Sequence, residues 1–395
     1  MRLLEHQSRR LLSGFGLTFT EASVVATPEE ALAVAEKLGV ATILKAQVPF
    51  GRRGKAGAVL PAETPSDAAG VARDLLAMEL RGVSVTQVSV EPKVEFQMEL
   101  YAGVAWDTTA KLPVALLGAA GGVEVEESSE HVIRRTFDPW NGLSAYEGRE
   151  MAMQAGLTGK ALSGVGAVLA RLARAFLECD AVLVEINPLV VTSDGAILGL
   201  DARVEIEDDA EYRQKARLAP LGEIVSSSAG RAPTALELEA QRIDAMDYRG
   251  VAGRVVEFDG DLGLLIGGGG ASLTVFDAIQ RHGGRPANYC EVGGNPTEEK
   301  VAALTALLLS KPGVKHLASI MNVVNNTRAD VMARGLLMGC KKAGRSPSET
   351  VVVFRIPGSW EDEARELLAE AGIEALGREV SLDAAAKLSV ERTKQ

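Results

Sequence analysis

A chain of 395 residues is too long for one compact core, so two or three domains are expected. Hydrophobic residues at 47% and charged residues at 24% exclude a disordered chain, and 42 basic against 53 acidic residues, a net charge of −11, exclude a general nucleic-acid binder. Cys179, Cys290 and Cys340 are scattered, no apolar run reaches the ~20 residues of a membrane span, and the start shows no signal-peptide core, so a cytoplasmic protein with reduced thiols and no membrane partner is expected.

In chain order, the pattern predicts an amphipathic helix near residues 3–13. A second helix is announced by Thr27-Pro28-Glu29-Glu30, with Thr27 as cap, Pro28 in the first turn and Glu30 completing a capping box. Lys45 ends the apolar run Ala41-Thr42-Ile43-Leu44, and the glycine-punctuated basic loop Gly51-Arg52-Arg53-Gly54-Lys55-Ala56-Gly57 follows. Glycines let backbone N–H groups approach phosphates, and Lys and Arg supply countercharge. Taken alone, the loop reads more readily as a flexible basic turn on the surface. A third helix is expected after Ser66-Asp67, then strands from about 83 to 119. Glu91 closes the strand-like run 83–90, and Glu99 follows eight residues later. Either carboxylate suits a purine amine or ribose hydroxyls, although isolated glutamates are usually solvated.

A long helix is expected over about 159–178. After it, Glu185-Ile186-Asn187-Pro188 and Leu200-Asp201 flank the turn Thr192-Ser193-Asp194-Gly195. The spacing suits an antiparallel strand pair that sets Asn187 opposite Asp201. Hard oxygen ligands so placed suit Mg2+, which completes its octahedron with waters and nucleotide phosphates; a hairpin with polar tips is the plain alternative. From 205 to 233 the acidic run Glu205-Ile206-Glu207-Asp208-Asp209 and the stretch Ser226-Ser227-Ser228 read as a linker.

Beyond 235 the rhythm becomes strand, glycine turn, helix, with strands expected at 262–266, 316–321, 350–356 and 373–376. Such alternation predicts a parallel sheet with helices on both faces and ligands beyond the carboxyl ends of the strands. Three turns there are chemically distinctive. Gly267, Gly268, Gly269 and Gly270 lead into a helix expected to start near Ser272, an anion site at a helix N-terminus or a device for tight packing. Asn325 and Thr327, in the turn 322–330, suit a helix cap when read on their own. Arg355 ends an apolar strand and needs a substrate carboxylate or a salt bridge. The segment Cys290-Glu291-Val292-Gly293-Gly294-Asn295 is expected to loop at the same rim. The four histidines His6, His131, His282 and His316 lie in no glycine-rich loop that could swing.

The order and spacing of these parts resemble the β subunit of succinyl-CoA synthetase, the ADP-forming succinate–CoA ligase, over nearly the whole chain. Leu4-Glu5-His6-Gln7, Gly121-Gly122-Val123-Glu124, Gly148-Arg149-Glu150 and Glu185-Ile186-Asn187-Pro188 carry the resemblance. It implies an α/β fold, with an ATP-grasp domain over 1–235 and a flavodoxin-like CoA-ligase domain over 236–395. It implies further that Lys45, Arg53, Gly54, Glu91 and Glu99 meet ATP, with GTP left open, that Asn187 and Asp201 hold Mg2+, and that Glu185 steadies a phosphohistidine. That histidine and the CoA site would belong to an α-type subunit, in an αβ or α2β2 assembly.

Two departures stand out: Arg52, where relatives commonly have glycine, and the turn 322–330 together with Gly267, where succinate-using relatives carry a Phe-Gly-Gly-type turn and an asparagine. The Gly-Gly-Gly-Ala-Ser run and the order Asn325-Asn326-Thr327 look more like ATP-citrate lyase and citryl-CoA synthetase, so the acid is left as a di- or tricarboxylate. The expected activity is acid–CoA ligation through an acyl phosphate, with Gly267 to Gly270, Ser272, Asn325, Thr327 and Arg355 around acid and phosphohistidine. The alternatives are a citrate- or malate-type CoA ligase, a carboxylate–amine ligase with an ATP-grasp domain, and a non-catalytic regulatory subunit.

Overall fold

The computed structural model describes residues 1–51, 53–118, 132–224, 233–251 and 255–394. Arg52, the Gly121-Gly122-Val123-Glu124 motif, His131 and the Ser226-Ser227-Ser228 stretch lie outside the described residues. The chain divides into two compact units, Met1–Ala232 and Pro233–Gln395.

The first unit has two lobes. In the smaller, strands run in the order Ser23–Val25, Val88–Pro92, Thr42–Ala46, Val59–Ala62, all antiparallel. Helices Pro28–Leu38 and Pro65–Leu76 press Ala31, Ala35, Ala68, Ala72 and Leu75 onto Leu44, Ala46, Val88 and Val90. Strand side chains alternate with period two, so Lys45, Ser89 and Glu91 turn to the opposite face. One lobe thus arises from apolar residues on one face of the strands, and the candidate site from polar residues on the other.

The larger lobe is a six-stranded antiparallel sheet ordered Ile197–Gly199, Ala181–Val191, Met98–Asp107, Leu112–Gly118, Val132–Thr136, with Ala202–Ile206 also pairing to Ala181–Val191. Helix Gly159–Glu178 buries Val165, Val168, Leu169, Leu172 and Phe176, an i, i+3, i+4 stripe, against it. Helix Ala145–Gln154 crosses that helix where a Cβ on Gly148 would stand 2.3 Å from the Gly166 carbonyl oxygen, so only glycine permits the approach.

Three local expectations need correction. Thr27 does cap its helix through the Glu30 N–H, but the Glu30 carboxylate accepts from Ala26, so the reciprocal box is not closed on Thr27. The third helix starts at Pro65, because Thr64 and Asp67 form the box there. Residues 205–224 are not a linker: Glu205 and Ile206 finish the strand Ala202–Ile206, in which Val204 and Ile206 face the core, and Glu211–Leu218 is a helix.

In the second unit, Leu262–Gly267, His316–Met321 and Val351–Arg355 form a parallel sheet, extended by single parallel bridges from Ile266 to Glu291 and from Phe354 to Ala375. Leu264 and Ile266 pack toward helices Gly270–Arg281 and Leu382–Arg392, while Leu265, Leu317 and Phe354 pack toward Glu298–Ser310, Ala329–Lys342 and Glu361–Glu370. Both faces are covered, which explains why these strands read as continuous apolar runs. Among the described residues, no helix is long and apolar enough to cross a membrane.

Candidate functional site

Six charged side chains interlock in the first unit. The Glu5 carboxylate, 3% exposed, meets Arg53 Nη1 at 2.8 Å, Lys45 Nζ at 3.3 Å and Arg9 Nη1 at 3.4 Å. Glu91 accepts from Arg9 Nη1 and from the Thr20 hydroxyl, both at 2.6 Å, and pairs with Lys45. Lys45 also donates to the Leu200 carbonyl at 2.5 Å, and Arg53 donates to the Ala46 carbonyl at 3.0 Å and to Asp201 Oδ2 at 2.5 Å. Cations from the strand Thr42–Ala46 and its following loop are thereby tied to a helix at the chain start and to the turn at 200–201.

Burial opposes ionisation of Glu5, yet Lys45, Arg53 and Arg9 overcome it and hold its carboxyl down to about 2. Lys45 and Arg53 are likewise desolvated, but Glu5 with Glu91 and Asp201 moves both upward. Asp201 goes the other way: enclosure raises its carboxyl against the pull of Arg53, although 31% of its side chain stays open.

That open part faces a cavity of about 360 Å3 lined by Glu5, Gly51, Arg53, Glu185, Asn187, Asp201 and Arg203, among others. The Asn187 N–H donates to the Asp201 carbonyl at 3.2 Å, and the Leu200 N–H to the Pro188 carbonyl at 3.0 Å, so the two predicted metal ligands sit opposite each other as the spacing suggested. Among the described residues no cluster of three or more His, Cys, Asp or Glu side chains forms a metal cage. One amide and one part-open carboxylate on a cavity fit a hard divalent cation that draws its remaining ligands from phosphate and water. Glu185 lines the same cavity, accepting from the Tyr101 hydroxyl at 3.2 Å with Arg203 Nη1 at 3.7 Å. Burial raises its carboxyl, with Arg203 and Tyr101 pulling it back.

The structure therefore brings Arg53, Glu185, Asn187 and Asp201 to one cavity and sets Lys45 and Glu91 in the ion network beside it. Glu91 is fully engaged with protein cations rather than presented to a ligand. Gly54 lies exposed in the turn, where its carbonyl accepts from Gly57, and Glu99 sits near the start of its strand opposite Val190; neither lines the cavity. Sequence reasoning missed Glu5, Arg9, Tyr101 and Arg203. Glu5, Ser8, Arg9 and Leu12 share one buried helix stripe, so an ion pair in core-facing positions was the signal available.

In the second unit, Gly268 and Gly269 have φ of +106° and +61°, and the helix starts at Gly270, two residues before Ser272. The Gly269 N–H donates to Glu291 Oε1 at 2.8 Å, so the positive helix end holds the protein's own carboxylate. Ser272 is wholly buried: its hydroxyl donates to the Gly269 carbonyl and lies 2.6 Å from the Tyr289 hydroxyl. Gly267 is a packing residue, since a Cβ there would stand 2.2 Å from the Val292 carbonyl. Asn325 is exposed in its turn, whereas Thr327 is buried and accepts from the Asn295 N–H at 3.4 Å. Neither caps the helix Ala329–Lys342, whose N-cap is Arg328. Arg355 donates to the Met321 carbonyl at 2.6 Å and the Val380 carbonyl at 2.8 Å, so two backbone carbonyls orient its guanidinium at the end of the strand.

A family model described as an ATP-grasp domain matches residues 2–191, and one described as ATP citrate lyase citrate-binding matches 233–337. The β subunit of ADP-forming succinate–CoA ligase from Rubrobacter xylanophilus is 37% identical over 396 residues, covering 99% of this chain and 98% of the relative. The chain belongs to the succinate–CoA ligase β-subunit family. Its counterpart from Methanothermobacter thermautotrophicus is 34% identical over the full length of both chains, and the GDP-forming one from Thermus thermophilus is 36% identical over 93% of each. Family membership puts the chain among ligases that form carbon–sulfur bonds, with a nucleotide substrate, a divalent metal and an α-type partner subunit. The fold matches that of ATP citrate lyase from Methanothrix soehngenii, solved with citrate and coenzyme A, with a TM-score of 0.79, 21% identity and 99% coverage of both chains.

Proposed function

We propose that the chain is the nucleotide-binding β-type subunit of an ADP-forming acid–CoA ligase. The cavity that joins Arg53, Asn187, Asp201 and Glu185 is the observation that carries this reading. Asn187 and Asp201 hold Mg2+, which supplies charge neutralisation for the triphosphate. Lys45 and Arg53 bind ATP phosphates, Glu91 holds Lys45 in place, and Gly54 and Glu99, which do not line the cavity, serve the parts of the nucleotide that extend beyond it. Glu185, partly open to the cavity, orients a histidine of the α-type partner as it takes the γ-phosphoryl group and ADP leaves.

In the second unit the phosphohistidine passes its phosphoryl group to a substrate carboxylate, freeing the imidazole and forming an acyl phosphate. The CoA thiol, held by the partner, attacks the acyl carbon and expels phosphate. Asn325 offers donors to the acid, Arg355 supplies countercharge beneath the strand ends, and Gly267 to Gly270 with Ser272 fix the turn that receives the anion. The match of residues 233–337 to a citrate-binding family model favours a tricarboxylate or a hydroxylated dicarboxylate over succinate. A panel of succinate, malate and citrate with the co-purified partner, read by ADP release and thioester formation, tests this. ADP without thioester for every acid, or product only with an amine in place of CoA, would refute it.

A further inference from the structure

Three carboxylates, Glu5, Glu91 and Asp201, neutralise three cations, Arg9, Lys45 and Arg53, within one connected set of contacts. Arg53 is the pivotal member. Its guanidinium, 6% exposed, spans Glu5 at 2.8 Å on one side and Asp201 at 2.5 Å on the other, so the candidate metal carboxylate already carries a positive partner. The Asp201 main-chain carbonyl is also engaged, by the Asn187 N–H at 3.2 Å.

Resting on the nucleotide reading above, we infer that Arg53 is an internal counterion that makes metal capture at Asp201 conditional on the nucleotide. A divalent cation arriving alone must displace the guanidinium from Asp201, leaving two positive centres side by side with, among the described residues, Glu5 as the remaining anion in contact with Arg53. A nucleotide phosphate changes this, because its oxygens match the guanidinium fork and give Arg53 a new partner as it leaves Asp201. Glu5 and the Ala46 carbonyl hold the rest of the side chain, so the exchange needs one end of the guanidinium to change partners and no movement of the strand. Metal and nucleotide then bind with positive coupling, and by linkage each tightens the other by the same factor.

Calorimetric and thermal-melt titrations of the full chain with MgCl2, with and without a non-hydrolysable ATP analogue, test the inference. For the unaltered protein, Mg2+ alone should bind at least about tenfold more weakly than in the presence of the analogue, within the usual range of coupling factors. Arg53→Gln should tighten Mg2+ alone by about tenfold, weaken the analogue and bring the coupling factor toward one. Arg53→Lys keeps the charge and should retain most of the coupling, which also decides the matter if the Gln variant does not fold. Equal Mg2+ affinity with and without analogue in the unaltered protein overturns the inference. So does an Arg53→Gln protein, folded by its melt, that takes Mg2+ alone no better than the unaltered chain. If the unaltered protein binds no Mg2+–analogue complex at all, the nucleotide reading fails and takes the inference with it.

Discussion

Arg53 and Asp201 stand 148 residues apart in sequence and 2.5 Å apart in space, with Glu5 on the other side of the same guanidinium. The phosphate-facing loop and the metal-facing turn are thus connected before any ligand arrives. Their separation along the chain means that only the folded first unit can present both.

Asp201→Asn keeps the side-chain shape and the main-chain bond from Asn187 but removes the charge that a divalent cation would meet. Calorimetry should show Mg2+-dependent ATP binding weakened by about tenfold or more, corresponding to about 1.4 kcal/mol, with the circular dichroism spectrum unchanged. Unaltered Mg2+ dependence would remove Asp201 from the metal site.

Glu5→Gln should act on stability and on its pH dependence. The folded carboxyl is held down to about 2 against an ordinary 4.5, so its contribution is fully present above 4.5 and disappears as pH falls toward 2. That shift corresponds to about 3 kcal/mol, and removing one partner of a buried ion network costs a similar amount. Denaturant unfolding at pH 7 should show the variant less stable by about 3 kcal/mol, and the gap should narrow steadily between pH 4.5 and pH 2. A gap that stays constant across that window would show that Glu5 contributes through packing alone.

Glu291→Gln should affect the acid and leave the nucleotide alone. The Glu291 carboxylate occupies the N–H of Gly269, where a substrate anion would otherwise profit from the helix end. A neutral amide yields that position more readily, so the KM for the carboxylic acid should fall by a few-fold, about 0.3–1 kcal/mol, while ATP affinity holds. A rise in KM would instead make Glu291 part of the substrate contact itself.

Arg355→Lys replaces a planar fork that reaches two carbonyls by a single-point ammonium. Steady-state assays with the α-type partner should show a higher KM for the acid and an unchanged KM for ATP. Equal effects on both would mark a general loss of structure around Met321 and Val380.

Much of this was legible in the sequence because it rests on local periodicity. The strand at 316–321 and the helix at 159–178 follow directly from apolar patterning, and Asn187 opposite Asp201 follows from a short hairpin. Lys45 was readable because it ends the apolar run 41–44 just ahead of a basic glycine loop, and in the fold its neighbours Leu44 and Ala46 face the core. Glu5 and Arg9 were harder, since charges on an opening helix ordinarily face water, and their stripe shared with Leu12 hints at burial without showing the partners. The ion pairs of Glu91 are equally hidden, because its cationic partners come from residues 9 and 45, which no local window includes. The bond of Ser272 to the Tyr289 hydroxyl is hidden from a local window for the same reason, since Tyr289 lies on a separate strand.

The division of labour between this chain and its partner is most directly tested with γ-labelled ATP, Mg2+ and a purified α-type subunit, in the absence of acid and CoA. The account predicts acid-labile label on a histidine of the α-type subunit, release of ADP in equal amount, and no label on this chain. Label retained on this chain, or ADP release that proceeds without the partner, would contradict it.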